Sequence, residues 1–186
     1  MKFKKITLVL ILFSGIIGCD CFTAGSEWNI DSFNVSIFDK NGNLPLNGII
    51  EGDSIKIQIM FEPEFVEFYS NPFKGLMNSA LATSCEEPGD NGLKDKIENF
   101  FITSNSEFNE IPIGESLNEF IIVNNRKKSI ADWISTSDTW MFRYGNFSEL
   151  VFIEKPEISS THIFTLKFVL ESGNTIEQST EEIQWN

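Results

Sequence analysis

Ile55, Ile57, Ile59 and Phe61 alternate strictly with Lys56, Gln58 and Met60. Successive side chains of a strand point to opposite faces, whereas a helix would scatter this row around its circumference. The pattern therefore demands a strand with one buried face. Phe164, Leu166, Phe168 and Leu170 repeat it a hundred residues later, interleaved with Thr165, Lys167 and Val169. Ser172-Gly173-Asn174 then turns the chain into a last strand, 175–185, which makes a terminal hairpin. Phe33-Asn34-Val35-Ser36-Ile37 is a further half-buried strand, and Asp39-Lys40-Asn41-Gly42-Asn43 follows it as a hairpin turn. Ile97–Thr103 and Phe120–Val123 are strand-like, and Leu150–Ile153 is apolar throughout, as a central strand should be. Pro63 marks an edge or a strand end, because proline cannot donate to a ladder. Only Ser129–Ile134 reads as a helical turn, capped by Ser129, with Ile130, Trp133 and Ile134 on one face. Asn71–Asp95, interrupted by Pro72, Gly75, Pro88, Gly89 and Gly92, is an irregular excursion. The expected fold is mainly β: an immunoglobulin-like β-sandwich with an irregular central insertion and one short helical turn.

The first residues have a different logic. Met1-Lys2-Phe3-Lys4-Lys5 is basic, and Ile6–Ile17 is an apolar run of about a dozen residues. A spanning helix needs roughly 20 apolar residues, so this run suits a signal peptide. Ile16-Ile17-Gly18-Cys19 closes it as a lipobox, with a branched apolar residue at −3, glycine at −1 and cysteine at +1. The organisation expected is a lipoprotein signal peptide at 1–18, a lipidated N-terminus at 19–23 with lipid on Cys19, and one β-sandwich domain at 24–186. Two or more acyl chains hold a protein durably to a membrane, whereas one does so only marginally. The location implied is the outer membrane, lipid-anchored, on its periplasmic face or at the cell surface.

Three cysteines are present, Cys19, Cys21 and Cys85. Lipidation consumes the first, and an exported compartment permits a disulfide between the other two. Two unpaired thiols, or a modified Cys21, are the alternatives. Cys19-Asp20-Cys21 has no zinc-ligand spacing, and a single histidine leaves such a site short of ligands. Losing Lys2, Lys4 and Lys5 with the leader takes the formal charge from −13 to −16. So acidic a chain lacks the basic footprint of nucleic-acid binding and is unsuited to docking electrostatically on anionic lipid.

Candidate chemistry is sparse. His162 falls in the row of Phe164, Leu166 and Phe168, which places it on the core side as a structural residue. No Gly-x-Ser-x-Gly elbow accompanies it. Glu62, Glu64 and Glu67, and the neighbours Glu181 and Glu182, are the carboxylate groupings that glycoside hydrolysis would draw on. Adjacent strand residues face opposite ways, so Glu181 and Glu182 share a cleft only if the strand is broken there. Asp39-x-Asn41-x-Asn43 begins like a calcium loop, but Leu44 and Ile50 stand where an EF-hand needs glycine and glutamate. Asp53-Ser54-Ile55 resembles a short O-glycosylation motif at Ser54; a turn residue followed by a strand start is the simpler explanation. Trp133, Trp140, Phe142 and Tyr144 form an aromatic-rich segment, suited to stacking on a sugar or anchoring a protein, or else to filling the core. No motif implies a metal or a cofactor.

Ser79-Ala80-Leu81-Ala82-Thr83-Ser84-Cys85, then Pro88-Gly89 and Gly92-Leu93-Lys94-Asp95-Lys96-Ile97, resemble a family of uncharacterised Bacteroidota lipoproteins. Leu117-Asn118, the Cys19-Asp20-Cys21 start and the terminal hairpin are similar to it as well. The resemblance implies an exported, lipid-anchored β-rich domain and brings no catalytic residues. The expectation is a non-enzymatic envelope protein that binds a protein or glycan partner or serves a structural role. A carbohydrate-binding lipoprotein using exposed aromatics is the alternative, and a hydrolase assembled from scattered acids is the third.

Overall fold

The computed structural model describes residues 27–66, 92–123, 128–136, 147–157 and 160–186. By compactness the chain divides into two units, Met1–Glu27 with Phe65–Asn91, and Trp28–Glu64 with Gly92–Asn186. The described residues lie almost entirely in the second. Cys19, Cys21 and Cys85, most of the 71–95 excursion, Trp140, Phe142 and Tyr144 lie outside them.

The architecture is mainly β. Among the described residues ten strands run in chain order: β1 (Glu27–Asp39), β2 (Ile49–Ile50), β3 (Ile55–Val66), β4 (Ile97–Ser104), β5 (Ile121–Val123), β6 (Phe147–Phe152), β7 (Ser160–His162), β8 (Phe164–Leu170), β9 (Thr175–Ser179) and β10 (Ile183–Trp185). Among the described residues one helix, α1 (Ile130–Ser135), lies between β5 and β6. The strands form three sheets, ordered β1-β3-β6-β5, β2-β10-β7 and β4-β8-β9. Apart from the short parallel contact of β10 with β2, the registered pairs are antiparallel.

Both alternating rows fold as their period requires. Ile55, Ile57, Ile59 and Phe61 are buried in β3, and Phe164, Leu166, Phe168 and Leu170 in β8. The two rows meet through aromatic rings. Phe168 touches Phe33 of β1 at 5.0 Å between centroids, Phe61 of β3 at 5.5 Å and Phe100 of β4 at 4.7 Å. Phe152 of β6 lies 4.9 Å from Phe164 and 5.7 Å from Trp185 of β10. One aromatic layer thus joins members of all three sheets, an arrangement consistent with a β-sandwich. β6 lies inside its sheet, between β3 and β5, which explains why Leu150–Phe152 carries no polar residue.

Slips of register account for what simple alternation misses. In β1, Trp28 and Ile30 are buried, and then Phe33 and Ile37. The inward row changes parity across Asp31-Ser32, so the strand starts six residues before the clean alternation does. In β4 the pairing to β8 shifts between Ile97 and Asn99, which lets Ile97 and Phe100 both face inward. Pro63 lies beyond Lys56–Met60, the span of β3 that pairs with β6, so no bond to β6 is lost there. Asn118, in a 3₁₀ turn at Asn118–Phe120, presents its amide to the outer edge of β4. Its Oδ1 accepts from Ile102 N at 3.1 Å and its Nδ2 donates to the Phe100 carbonyl at 2.7 Å, imitating a neighbouring strand. α1 forms as expected: the Ser129 hydroxyl accepts from Asp132 N at 3.1 Å, and Ile130 and Trp133 are buried.

Two expectations are corrected. The last strand is not continuous over 175–185. β9 pairs with β8, the chain breaks at Thr180–Glu182, and β10 joins a different sheet. Thr180 makes the break: its N–H bonds the Phe164 carbonyl at 2.9 Å and its hydroxyl accepts from Phe164 N at 3.0 Å, which draws the side chain into the core. Likewise, Asp39–Asn43 is a turn but not a hairpin. Asp39 accepts from the N–H groups of Asn41 and Asn43, closing the loop, yet the next strand, β2, pairs with β10 rather than β1.

Candidate functional site

Two shallow concavities and one buried polar pair carry what chemistry the described residues offer. The first concavity grows from a turn. Asn47 (φ 56°) and Gly48 (φ 75°) sit at the centre of a two-residue reversal in which Ile49 N bonds the Leu46 carbonyl at 3.1 Å. Two successive positive φ angles are what a tight I′-type turn requires, and Asn-Gly is the pair that adopts them most readily. Gly48 is required twice over, since a Cβ there would lie 3.3 Å from the Glu182 carbonyl. Its own carbonyl accepts from Gln184 N at 2.7 Å, which clamps the turn to the start of β10. Held this way, the segment leaves Leu44, Leu46 and Ile49 exposed, by 68%, 79% and 42%. The break at Thr180–Glu182 lies alongside. Both Glu181 and Glu182 are exposed, and both line one cavity of about 310 Å³ together with Val35, Ile37, Leu44 and Pro45. The strand break is the condition under which these neighbours share a face, and here it is met.

The second concavity lies on the outer face of β4-β8-β9. Cross-strand register sets Phe101, Lys167 and Glu177 in one row, and Thr103, Thr165 and Ser179 in the next. Thr165 and Ser179 share a hydroxyl hydrogen bond of 2.8 Å. Gly114–Ser116 walls one side, enclosing about 480 Å³. Phe101 is 37% exposed, which gives this face an aromatic ring among hydroxyls and charges.

The buried pair is Ser104 and His162, with Oγ and Nδ1 at 2.9 Å. Ser106 N donates to the same hydroxyl at 3.1 Å. The serine hydrogen has no other acceptor among the described residues, so it points to Nδ1 and the imidazole is the neutral Nε2–H tautomer. The ring is stacked on Phe164 at an interplanar angle of 4°, and both polar side chains are buried. Burial holds the imidazole below its ordinary pKa of 6.5. A nucleophile and base need access to substrate, and this pair has none; it satisfies two core polar groups.

Other sequence candidates resolve individually. Trp133 is 1% exposed, packed edge-on to Phe100 at 5.4 Å, and presents no ring to a ligand. Ser54 donates its hydroxyl to the Phe152 carbonyl at 2.8 Å and is half-buried. Glu62 accepts from Ser32 Oγ at 2.6 Å and Asn34 Nδ2 at 2.7 Å, bracing β1 against β3. Among the described residues no cluster of three or more His, Cys, Asp or Glu is placed to hold a metal, and no helix is long and apolar enough to cross a membrane. Sequence reasoning passed over Leu44, Leu46, Ile49 and Phe101; the Asn47-Gly48 dipeptide was the available signal for the first three. Comparison with protein-family models, with curated proteins and with solved structures finds no match.

Proposed function

We propose that the chain is an exported, lipid-anchored envelope protein whose β domain serves as a binding or structural module. The observation that carries this reading is Ile16-Ile17-Gly18-Cys19 at the end of a basic-then-apolar leader. Cys19 bears the lipid, and Cys21 and Cys85 form the disulfide that an exported compartment allows. The anchor lies in the outer membrane, on its periplasmic face or at the cell surface. The resemblance of Ser79–Cys85 and Gly92–Ile97 to uncharacterised Bacteroidota lipoproteins supports the same placement. An immunoglobulin-like sandwich is the finer reading of the fold, supported by the aromatic layer that Phe33, Phe61, Phe100 and Phe168 share. The test is Cys19→Ala. The wild-type chain enters the detergent phase of Triton X-114 and accumulates as precursor under globomycin; the variant remains aqueous. A variant that partitions like wild type refutes the anchor.

A second reading, carbohydrate binding, is favoured by the outer face of β4-β8-β9. There the Phe101 ring stands among Thr103, Thr165, Lys167 and Glu177, an aromatic surface with hydroxyl and charged partners for a sugar. A glycan array with wild type and Phe101→Ala tests it; equal profiles refute it.

A further inference from the structure

We infer that the Leu44–Ile49 turn and the adjoining Glu181-Glu182 cavity form a docking surface for a basic peptide segment of a partner protein, one that alternates Lys or Arg with aliphatic side chains. This rests on the reading of the domain as a binding module and names the partner chemistry for one of its faces.

Three observations support it. Leu44, Leu46 and Ile49 are large aliphatics exposed on a turn that the chain holds rigidly, with Gly48 clamped to Gln184 and closed against Glu182. Exposed apolar side chains grouped in this way mark interaction sites rather than ordinary surface. The cavity that Leu44, Pro45 and Gly48 of this turn segment help to line, about 310 Å³, is at the small end of ligand pockets and suits one or two side chains rather than a large cofactor. Its apolar wall includes Val35, Ile37 and Pro45.

The rim chooses the occupant. Glu181 and Glu182 are exposed at the same opening and have no ion-pair or side-chain hydrogen-bond partner among the described residues. A chain of net charge −13 repels a second copy of itself, and docking face to face would bring four such carboxylates together. The same repulsion disfavours an anionic bilayer surface. A cationic segment meets complementary charge at the rim and apolar contact at the turn, and an alternating sequence supplies both from one extended strand.

The test uses the full-length protein in detergent micelles and three fluorescein-labelled peptides read by anisotropy: Lys-Leu-Lys-Leu-Lys, Lys-Ser-Lys-Ser-Lys and Glu-Leu-Glu-Leu-Glu. The first should bind, and the other two should bind at least about tenfold more weakly. Leu44→Ser/Leu46→Ser should weaken the first peptide about tenfold or more, because two apolar contacts are removed. Glu181→Gln/Glu182→Gln should weaken it roughly three- to tenfold, and less at 0.5 M salt. The mutated side chains are exposed, and an unchanged melting temperature confirms that each variant is folded. Equal binding of the two lysine peptides overturns the proposal, since unspecific attraction to an acidic protein is then sufficient. So does wild-type affinity in either variant, leucine-dependent self-association in sedimentation, or leucine-dependent capture by neutral phosphatidylcholine vesicles. Failure here leaves the Cys19 anchoring result and the Phe101 glycan result standing, so it is distinguishable from failure of the module reading.

Discussion

Lowering the pH from 7.5 to 5.0 should destabilise this protein through His162 in particular, by an amount that a single double variant isolates. His162 is the only histidine in the chain, fully buried, with Nδ1 accepting from Ser104. Its pKa is depressed in the fold by burial, from an ordinary 6.5. Protonation would place a hydrogen on Nδ1 and reverse the Ser104 bond, leaving the buried serine hydrogen without that acceptor. The folded state therefore resists a proton that the unfolded chain accepts below pH 6.5. Stability is complete above that value and is lost as pH falls through it toward the folded pKa. The loss attributable to this one group grows as the pH falls below 6.5, with a slope of at most about 1.4 kcal/mol per pH unit. Asp39 does not contribute in this window. The side-chain amide of Asn43, with the Asn43 and Asn41 N–H groups, holds its carboxyl below the ordinary 3.8. The assay is urea denaturation at pH 7.5, 6.5, 5.5 and 5.0, for wild type and for Ser104→Ala/His162→Phe. The double variant removes both polar partners, so neither is left unsatisfied. Carboxylates common to both proteins cancel in the comparison, and only the difference in pH dependence is read. The single histidine also gives one ring resonance by NMR, whose titration midpoint in the folded protein should lie below 6.5. Identical pH slopes in the two proteins, or a midpoint at or above 6.5, would refute the reasoning.

Two further outcomes follow from the core. Phe168 is fully buried and touches rings of Phe33, Phe61, Phe100 and Trp133, so Phe168→Ala should cost about 3–5 kcal/mol in denaturant unfolding, through lost transfer energy and a cavity that several strands cannot close. A loss under 1 kcal/mol would mean that this layer is not the centre of the core. Ser148 lies inward on β6 with its hydroxyl buried and without a partner among the described residues, so Ser148→Ala should raise stability by about 1 kcal/mol, read as an increased midpoint in the same assay; a decrease would reveal a bonded hydroxyl.

Much of the sheet framework could be read from the chain because period and burial agree. The β3 and β8 rows, the β6 run, the Ser129 cap and the turn after β8 follow from local chemistry alone. Where reading failed, a nonlocal bond had shifted the phase. Trp28 and Ile30 belong to β1, but the parity change at Asp31-Ser32 hides them from a period-2 pattern. The tail reads as one strand because nothing local marks Thr180, whose importance comes from two bonds to Phe164, sixteen residues earlier. Trp133 was a candidate ligand-binding aromatic, and only the packing of α1 against β4 and β8 assigns it to the core.

The candidate docking site shows the division most clearly. By itself the sequence determined which segments alternate, where Asp39–Asn43 turns, that His162 faces inward and that the chain is strongly acidic, because each of these depends on a residue's type and its near neighbours. Only the tertiary structure decided that Glu181 and Glu182 share one opening and that Leu44 and Leu46 stand exposed beside them. Those facts depend on a strand changing sheets and on a glycine carbonyl meeting the backbone of a strand well over a hundred residues away, contacts that local periodicity does not encode.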